Sequence, residues 1–360
     1  MKAEQNSTEQ NSHLILAVGE VLWDLLPNPA QGTVAPAHGT DAPMQTRDAC
    51  TQRRDTSRGA GPMKLLGGAP ANFSVMAGRL GNRSVLLSRV GGDALGRMAV
   101  DRLRTLPVET EFIQTGRTED TGRVDVSLTN GQPSYRIHQP VAWDFMESSR
   151  EWLELAEHSS AICFGSLAQR SPQSRRCIQE MVAATGAGCE RVFDVNLRAP
   201  FYSDAVVHSS IGLATMVKMN DEEVGRVLDL VGIPPPEGTD LKAEQGIESA
   251  TDWLRQAAER LLDRFARLDL VAITRGDQGS VLVRRTEWDV HPGILVVVAD
   301  TIGSGDAFTA ALIHYRLRGA SLAQLNEAGN RWGSWVASQA GAMPVLSDEV
   351  REQLTALIEG

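Results

Sequence analysis

Short apolar runs alternate with helix-length segments along most of this chain. Leu14–Val18 is the first run, and Gly19 ends it. Each run is continuous, which is typical of strands that are buried on both faces. Further strands are predicted at 84–90, 160–164, 191–195, 215–219, 270–274 and 280–283. The alternation predicts an α/β fold with a doubly wound, mainly parallel sheet and helices on both faces.

Glycine and proline residues mark the ends of the predicted helices. Gly81 and Gly341 each follow a helix, and the prolines at 234–236 separate two others. These residues are common after the last turn because they do not continue a helix. The predicted helices are 71–80, a segment through 98 and 103, one that ends near 185, 221–230, 247–268, 306–318 and 322–340. In an open parallel sheet of this kind, ligands bind at the carboxyl ends of the strands.

The charge and polarity of the chain exclude two classes of partner. The 360 residues have a net charge of -10, so there is no basic excess for a nucleic-acid backbone. The longest apolar run, 294–299, is far too short to span a membrane, and the first thirteen residues have no apolar signal segment. The four cysteines have no CxxC spacing, which excludes a zinc knuckle and favours reduced thiols. We expect a cytoplasmic protein without nucleic-acid or membrane partners.

Two segments depart from the alternation of strands and helices. Between 28 and 62 the chain is rich in small and polar residues without periodicity, and we interpret it as a flexible insertion. Alternating runs at 123–128 and 134–138 flank Asn130-Gly131, which indicates a hairpin. Such a hairpin buries little alone, so we expect a small β-sheet that acts as a lid. The predicted organisation is a disordered tail at 1–13, an α/β domain at 14–347 with lid segments at about 20–66 and 108–140, and a C-terminal segment at 348–360.

The densest candidate site is the segment 300–306, Asp-Thr-Ile-Gly-Ser-Gly-Asp, which precedes an apolar helix. Glycines at such a junction let the backbone approach an anion, and the free amides of a helix N-terminus attract negative charge. The segment therefore fits a phosphate-binding turn. Taken alone, Asp306 is better explained as a helix cap without a chemical role.

The segment 300–306 resembles the second signature of the PfkB (ribokinase-like) carbohydrate kinases, D-T-x-G-[AS]-G-D, at every fixed position. The first signature of that family is matched by Gly-Gly-Ala-Pro-Ala-Asn at 67–72, with Gly92-Asp93 and Gly96 at fitting distances. Two signatures in the correct order are far more specific than one glycine turn. The resemblance covers about 14–347, is nearest to bacterial fructokinases, and implies a ribokinase-like fold. The insertion at 28–62 departs from the family, and it puts a homodimer formed through the lid in doubt.

The resemblance assigns roles to the second signature. In the family the final aspartate accepts the proton of a sugar hydroxyl as this attacks the γ-phosphate of ATP, which implies that Asp306 is the base. The amides of Gly303, Ser304 and Gly305 would form the anion hole for the transferred group. Phosphoryl transfer depends mostly on positioning and charge stabilisation, so the base does not need a pKa near neutrality.

A second match concerns the cofactor magnesium. Asn220 and Glu223 resemble the N-x-x-E motif of the family, whose side chains organise the water shell of Mg²⁺. Magnesium keeps several waters, which suits these residues as outer-shell partners. The alternative is an N-capped helix with acidic residues in its first turn. With the other motifs present we favour the metal role.

Further matches concern the nucleotide and a monovalent cation. The residues that resemble the T-x-G-x-x-G turn beside the nucleotide are Thr274, Gly276 and Gly279. Glycine pairs of this spacing are common, so the turn alone has little specificity. Asn330 lies where relatives have a polar residue facing the adenine. Many relatives bind a monovalent cation, so carbonyls near Asp300 and Ile302 could hold K⁺.

Five residues are candidates for binding the sugar. Asp24 lies in a segment that resembles the opening of bacterial fructokinases, and a carboxylate can accept two hydroxyl hydrogen bonds. Gly67 and Gly68 would allow close approach of the backbone, and Asn72 offers both a donor and an acceptor. Arg198 ends a segment that resembles the fructokinase F-D-x-N-L-R strand end, although it could equally form a structural ion pair.

The predicted activity is ATP-dependent phosphorylation of the primary hydroxyl of a sugar, most simply fructose to fructose 6-phosphate. Other PfkB substrates remain open: 2-keto-3-deoxygluconate, ribose or a nucleoside. A sensor that kept the fold and lost catalysis is a further alternative, but the base, the glycine turn and the N-x-x-E motif are intact. A dinucleotide oxidoreductase and a Walker-type kinase are excluded because the first strand is not followed by G-x-G-x-x-G and no Gly-Lys-Ser/Thr occurs.

Overall fold

The computed structural model describes residues 12–26, 63–129, 132–237 and 247–359. The predicted insertion at 28–62 and most of the predicted tail at 1–13 lie outside the described residues, so both interpretations remain predictions. The strands are β1 (Leu14–Val18), β2 (Leu22–Leu26), β3 (Met63–Gly67), β4 (Arg83–Leu87), β5 (Arg89–Gly91), β6 (Gln114–Gly116), β7 (Gly122–Thr129), β8 (Gln132–Ile137), β9 (Ala161–Gly165), β10 (Glu190–Asp194), β11 (Met216–Asn220), β12 (Leu270–Thr274), β13 (Ser280–Val283) and β14 (Trp288–His291). The helices are α1 (Ala69–Arg79), α2 (Ala94–Leu103), α3 (Arg150–His158), α4 (Pro172–Ala184), α5 (Asp204–Leu213), α6 (Asp221–Leu230), α7 (Ile247–Arg264), α8 (Ser304–Arg316), α9 (Leu322–Ala337) and α10 (Asp348–Glu359).

An eight-stranded sheet in the order β14-β13-β12-β11-β10-β9-β1-β4 forms the centre of the fold. From β4 through β1, β9, β10 and β11 to β12, neighbouring strands pair in parallel. At the other edge of the described sheet, β13 pairs antiparallel with both β12 and β14. Because the parallel strands point the same way, their carboxyl ends meet along one edge of the sheet. The predicted α/β class and mainly parallel sheet are therefore confirmed.

The first strand explains why the apolar runs are continuous. In β1, Leu16 and Val18 pack into the core layer on one face of the sheet, and Ile15 and Ala17 pack into the layer on the other face. All four side chains are fully buried. Alternate residues of a strand point to opposite faces, so a strand covered on both faces must be apolar at every position. Fully burying a leucine, isoleucine or valine side chain stabilises the fold by about 1.5–3 kcal/mol.

A second, four-stranded sheet lies beside the first, in the order β3-β2-β7-β8. We call it the small sheet. Its strands come from both predicted lid segments, and β7 pairs antiparallel with β8 on either side of the predicted Asn-Gly turn, which lies outside the described residues. The indole of Trp23 in β2 donates to the carbonyl of Leu95 in α2 at 3.0 Å. Asp93, which caps α2, also accepts from the amide and hydroxyl of Thr121, the residue before β7. These contacts anchor the small sheet to the main domain.

Several element bounds differ from those predicted. Helix α9 ends at Ala337 rather than at 340, because the amides of Ala299 and Asp300 donate to the Ala337 carbonyl at 2.9 and 3.2 Å. The strand predicted at 84–90 is divided into β4 and β5. Helices α3, α5 and α10 and strands β2, β3, β6 and β14 were not predicted individually. Among the described helices, none combines the length and apolar character needed to cross a membrane.

Candidate active site

A cleft of about 700 Å³ opens between the carboxyl edge of the main sheet and the small sheet. Residues that follow β1, β9 and β10 or lie in β11 and at the end of β12 line its floor: Glu20, Leu167, Asn196, Lys218 and Thr274. The N-terminus of α8 and the residues before it form one wall, and the small sheet forms the opposite wall. The position agrees with the general rule that ligands bind at the carboxyl ends of parallel strands.

The carboxyl group of Asp306 lies in this cleft, in the first turn of α8. One of its oxygens accepts a hydrogen bond from the side-chain amide of Asn72, at 2.8 Å. Burial and the nearby charge of Asp194 raise the pKa of Asp306 to about 7, although the Asn72 hydrogen bond, Lys218 and Arg198 oppose that rise. Asp306 can therefore exchange a proton near neutral pH.

The glycine turn before α8 is fixed by two close approaches. Gly303 has a φ of +82°, and a Cβ there would lie 2.6 Å from the carbonyl oxygen of Ala342. At Gly305 a Cβ would lie 2.9 Å from Nζ of Lys218. Both glycines line the cleft, whereas the amide of Ser304 donates to the carbonyl of Thr301 at 3.2 Å. At Gly303 and Gly305 the backbone, with no side chain, borders the cleft.

Lys218 and Asp194 form a buried ion pair under the glycine turn, with Nζ 3.2 Å from Oδ1. The hydroxyl of Thr309 in α8 donates to the same carboxylate at 3.1 Å. Burial lowers the pKa of Lys218, but Asp194 and Asp306 outweigh it and raise the pKa overall. A charged ammonium therefore lies beside Gly305. Sequence reasoning gave Lys218 no role, although a lysine within a buried strand is itself an unusual signal.

Four of the five predicted sugar-binding residues line the cleft. Asp24, Gly68, Asn72 and Arg198 all line it. Gly68 has a φ of +110°, and a Cβ there would lie 2.4 Å from the carbonyl oxygen of Glu20, so only glycine fits. Burial raises the pKa of Asp24. Gly67 faces instead a neighbouring cavity of about 540 Å³, which Asp24 also lines.

Asn220 and Glu223 are joined to each other at the start of α6. The Asn220 side chain accepts from the Glu223 amide at 2.9 Å, and Glu223 accepts from the Asn220 amide at 3.0 Å. The other oxygen of Glu223 accepts from the amide of Leu197 at 2.7 Å. Asn220 lines the cleft, and Glu223 lies behind it. The structure therefore contains the capped helix, and the metal role of both residues stays a prediction.

The predicted nucleotide residues are divided between the cleft and its surroundings. Thr274 lines the cleft, but Gly276 and Gly279 belong to the turn beyond it. The side-chain amide of Asn330 is buried and donates to the hydroxyl of Ser280 at 2.7 Å and to the carbonyl of Asn326 at 2.8 Å. These hydrogen bonds hold Asn330 in the core. Its contact with an adenine remains a prediction.

The carboxyl of Asp300 connects the glycine turn to the loop that follows α9. One oxygen accepts from the amide of Ile302 at 3.0 Å, and the other accepts from the amide of Gly341 at 3.3 Å. The two loops are therefore held together by one side chain. No group of three or more His, Cys, Asp or Glu side chains within the described ranges is arranged as a metal site.

Sequence reasoning also missed Glu20. This residue directly follows Gly19 after β1, lines the cleft, and is 4% exposed. Burial and, secondarily, the charge of Asp306 raise its pKa to about 7, against hydrogen bonds from backbone amides and the charge of Arg198. The sequence shows a glutamate next to a glycine at the end of a strand, but it does not show that Glu20 is buried.

Three proteins illustrate the likeness to known proteins. An uncharacterized sugar kinase from Pyrococcus horikoshii is 30% identical over 284 residues, which are 77% of this chain and 82% of that protein. Its crystal structure in complex with ATP covers 91% of this chain and 94% of its own, with a TM-score of 0.67. A fructokinase from Vibrio alginolyticus is 28% identical, over 79% of this chain and 89% of that protein.

A fructokinase from Vibrio cholerae, solved with fructose, ADP and calcium, has a TM-score of 0.68 at 23% identity, over 97% of this chain and 99% of that one. This likeness shows the fold alone. The model of the pfkB family carbohydrate kinases matches residues 41–349, which is more than half of the chain. With both signatures meeting in one cleft and the family model matching over most of its length, this chain belongs to the pfkB family of carbohydrate kinases.

Proposed function

We propose that this protein transfers the γ-phosphoryl group of ATP to the primary hydroxyl of a sugar, and that the sugar is fructose, giving fructose 6-phosphate. One observation carries the proposal. Asp306, whose pKa is raised to about 7, lies in the same cleft as a glycine turn and a buried ammonium group. Such an arrangement places a base for an alcohol next to a site for a transferred anion.

In the proposed reaction Asp306 accepts the proton of the sugar hydroxyl as its oxygen attacks phosphorus. The amides of Gly303 and Gly305 and the ammonium group of Lys218 stabilise the negative charge on the transferred group. Phosphoryl transfer has a loose transition state, so positioning and charge stabilisation account for most of the rate. The structure of the Pyrococcus relative in complex with ATP supports ATP as the donor.

Magnesium would enter with the nucleotide and neutralise charge on its phosphates. Asn220 fits an outer-shell role, because its side chain reaches the cleft while its oxygen caps α6. Glu223 already accepts two backbone hydrogen bonds, so its part is to hold Asn220 and the segment before Arg198 in place. For K⁺, we propose the carbonyls near Asp300 and Ile302, at the connection between the two loops.

Fructose is proposed over other sugars on two grounds. A relative at 28% identity is named fructokinase, and Asp24 and Arg198 both line the cleft. Asp24 can accept from two neighbouring hydroxyls, and Arg198 can donate to a third oxygen. The other substrates of the family, 2-keto-3-deoxygluconate, ribose and nucleosides, are the alternatives that the experiment separates.

The test is a coupled assay of ADP release over a panel of these sugars, with and without Mg²⁺ and K⁺. We expect the highest kcat/KM with fructose, dependence on Mg²⁺, and a product that phosphorus NMR identifies as the 6-phosphate. The Asp306→Asn variant serves as the background control. A higher kcat/KM with another sugar would replace fructose, and sugar binding without ADP release would favour a non-catalytic sensor.

We also propose that two copies pair through the small sheet in the cytoplasm. The edge strands β3 and β8 have one unpaired side each within the described sheet, and Met63 and Tyr135 on them are exposed. An open strand edge is a template for pairing with another chain. Light scattering behind a sizing column should give twice the mass of 38.9 kDa. A monomer at micromolar concentration would contradict the pairing.

A further inference from the structure

Glu20 has a buried oxygen atom without a partner. Its Oε2 is inaccessible to solvent, and no described residue forms a hydrogen bond with it. Buried polar atoms in folded proteins nearly always have a partner, so an exception calls for an explanation. An ionised carboxylate in this position would be costly, because an unpaired buried charge is strongly unfavourable.

A third, small cavity is lined by both Glu20 and Asp306. Its volume is about 20 Å³, and both carboxyl groups line it together with Asp194, Ser166 and Asn196. Apolar side chains, including Pro70, Phe73 and Leu167, make up most of its lining, and the space is the size of one water molecule, which these polar residues could hold. Such a water can accept from one protonated carboxyl and donate to an ionised one, so the cavity gives the two groups a route for sharing a proton.

The charged groups around the two carboxyls are few. The charges of Asp306 and Arg198 affect the pKa of Glu20. The charges of Asp194, Lys218 and Arg198 affect the pKa of Asp306. The ammonium group of Lys218 is already paired with Asp194, and the side chain of Arg198 is exposed. The buried thiol of Cys163 adds no charge, because burial and then Asp194 raise its pKa well above the usual value.

We infer that Glu20 and Asp306 share a single proton across this cavity, and that Glu20 is a positioning residue that sets the fraction of Asp306 free to act as the base. The inference rests on the proposed function for its kinetic consequence only. Each carboxyl opposes ionisation of its neighbour, so the protons leave in two steps that belong to the pair. The proton that leaves the sugar goes to Asp306, and Glu20 acts only through the charge beside it.

The direct test measures protonation in the absence of any substrate. Infrared difference spectra of the carboxyl groups are recorded as a pH titration. In the wild-type protein they should show the Glu20 and Asp306 pair losing its protons in two separate steps. In Glu20→Gln and in Asp306→Asn, the remaining carboxyl should titrate in one step, about one pH unit below the upper step of the wild type. Carbon-13-labelled glutamate separates Glu20 from the aspartates.

The matched control is Glu109→Gln, which removes a carboxylate that pairs with Arg83 on the surface. We expect both steps to stay in place in this variant. If the remaining carboxyl titrates at the pH of the wild-type upper step in either site variant, the two groups are not coupled and the inference is wrong. This result does not depend on catalysis, so it is separate from any failure of the proposed function.

The kinetic test uses the pH profile of kcat/KM. In Glu20→Gln the acid limb should move to lower pH, by up to about one unit, with the KM for the sugar unchanged. Glu20→Asp keeps a carboxyl and should return the limb towards its wild-type position. A merely structural role would lower kcat at all pH values without moving the limb, and that outcome would overturn the inference.

Discussion

The side-chain amide of Asn72 donates to the carboxylate of Asp306 at 2.8 Å, although 234 positions separate them in the sequence. Asn72 ends the first glycine-containing motif and Asp306 ends the second. Helix α1 carries the one and helix α8 the other, and the two helices pack against each other on the same layer. The hydrogen bond therefore joins the two motifs at the point where the proposed chemistry takes place.

Replacing Asp306 by asparagine should remove the base without changing its shape. We expect kcat to fall by about 10²- to 10⁴-fold, which is the usual contribution of a positioned general base. Sugar affinity, measured by calorimetry, should change little because Asp24 and Arg198 are untouched. Phosphorylation of fructose by the variant at the wild-type rate would show that Asp306 is not the base.

The activity of the wild-type protein should depend on pH near neutrality. The base acts in its ionised form, and the pKa of Asp306 is raised to about 7 by burial and by Asp194. We therefore expect kcat/KM to rise as the pH increases through this region and to level off above it. A profile that is already flat from pH 5 upwards would contradict this assignment.

Removing the hydrogen bond from Asn72 should shift the acid limb of the kcat/KM profile in the direction opposite to the shift expected in Glu20→Gln. The bond favours the ionised form of Asp306, so Asn72→Leu should raise the pKa of Asp306 and shift the acid limb to higher pH. The matched control is Ser74→Ala on the same helix, which removes a buried hydrogen bond to Ser84. An acid limb that moves equally in both variants would argue against a specific role for Asn72.

The same buried carboxyl should make folding stability depend on pH. The pKa of Asp306 is raised from 3.8 to about 7, so the folded state holds a proton that the unfolded state has lost. Stability from this group is present below about pH 4 and is lost as the pH rises towards 7. Asp306→Asn should therefore raise the melting temperature at pH 8 more than at pH 4. Equal shifts at both pH values would contradict the linkage.

A buried ion pair away from the cleft provides a test of the fold. Asp144 and Arg170 are 2.8 Å apart and almost fully buried, and the guanidinium lies 3.8 Å from the ring centre of Trp143. Asp144→Ala leaves a buried charge unpaired and should cost about 3–5 kcal/mol in urea unfolding. Glu154→Ala, in an exposed pair with Arg150 at 2.8 Å, should change stability by about 0.5 kcal/mol or less. Similar losses in both variants would contradict this account.

Sequence patterns predicted the elements that carry local signals. The bounds of β1, α6, β12 and β13 agree with those predicted, because a continuous apolar run or a capping box marks each of them. Composition was a weaker guide elsewhere. The run at 294–299 is apolar, yet it lies outside every described strand, with Leu295 93% and Val297 91% exposed.

The site was predictable where a motif carried it and not where tertiary packing created it. The glycine turn, Asp306, Asn72 and Asp24 all reach the cleft. The roles of Glu20 and Lys218 depend on which strand ends are neighbours in the sheet, and no local pattern encodes that order. The contact of Asn330 with an adenine stays a prediction, and only the fold shows that Ser280 and Asn326 occupy its amide.

The attachment of the small sheet has a mechanical consequence. The chain enters it from β1 through Glu20 and Val21, and leaves β3 through Gly68 into the helix that carries Asn72. Both connections adjoin residues that touch or neighbour the proton acceptor. A displacement of the small sheet would therefore change the surroundings of Asp306 directly, so a ligand that moved this sheet would also change how readily Asp306 accepts a proton.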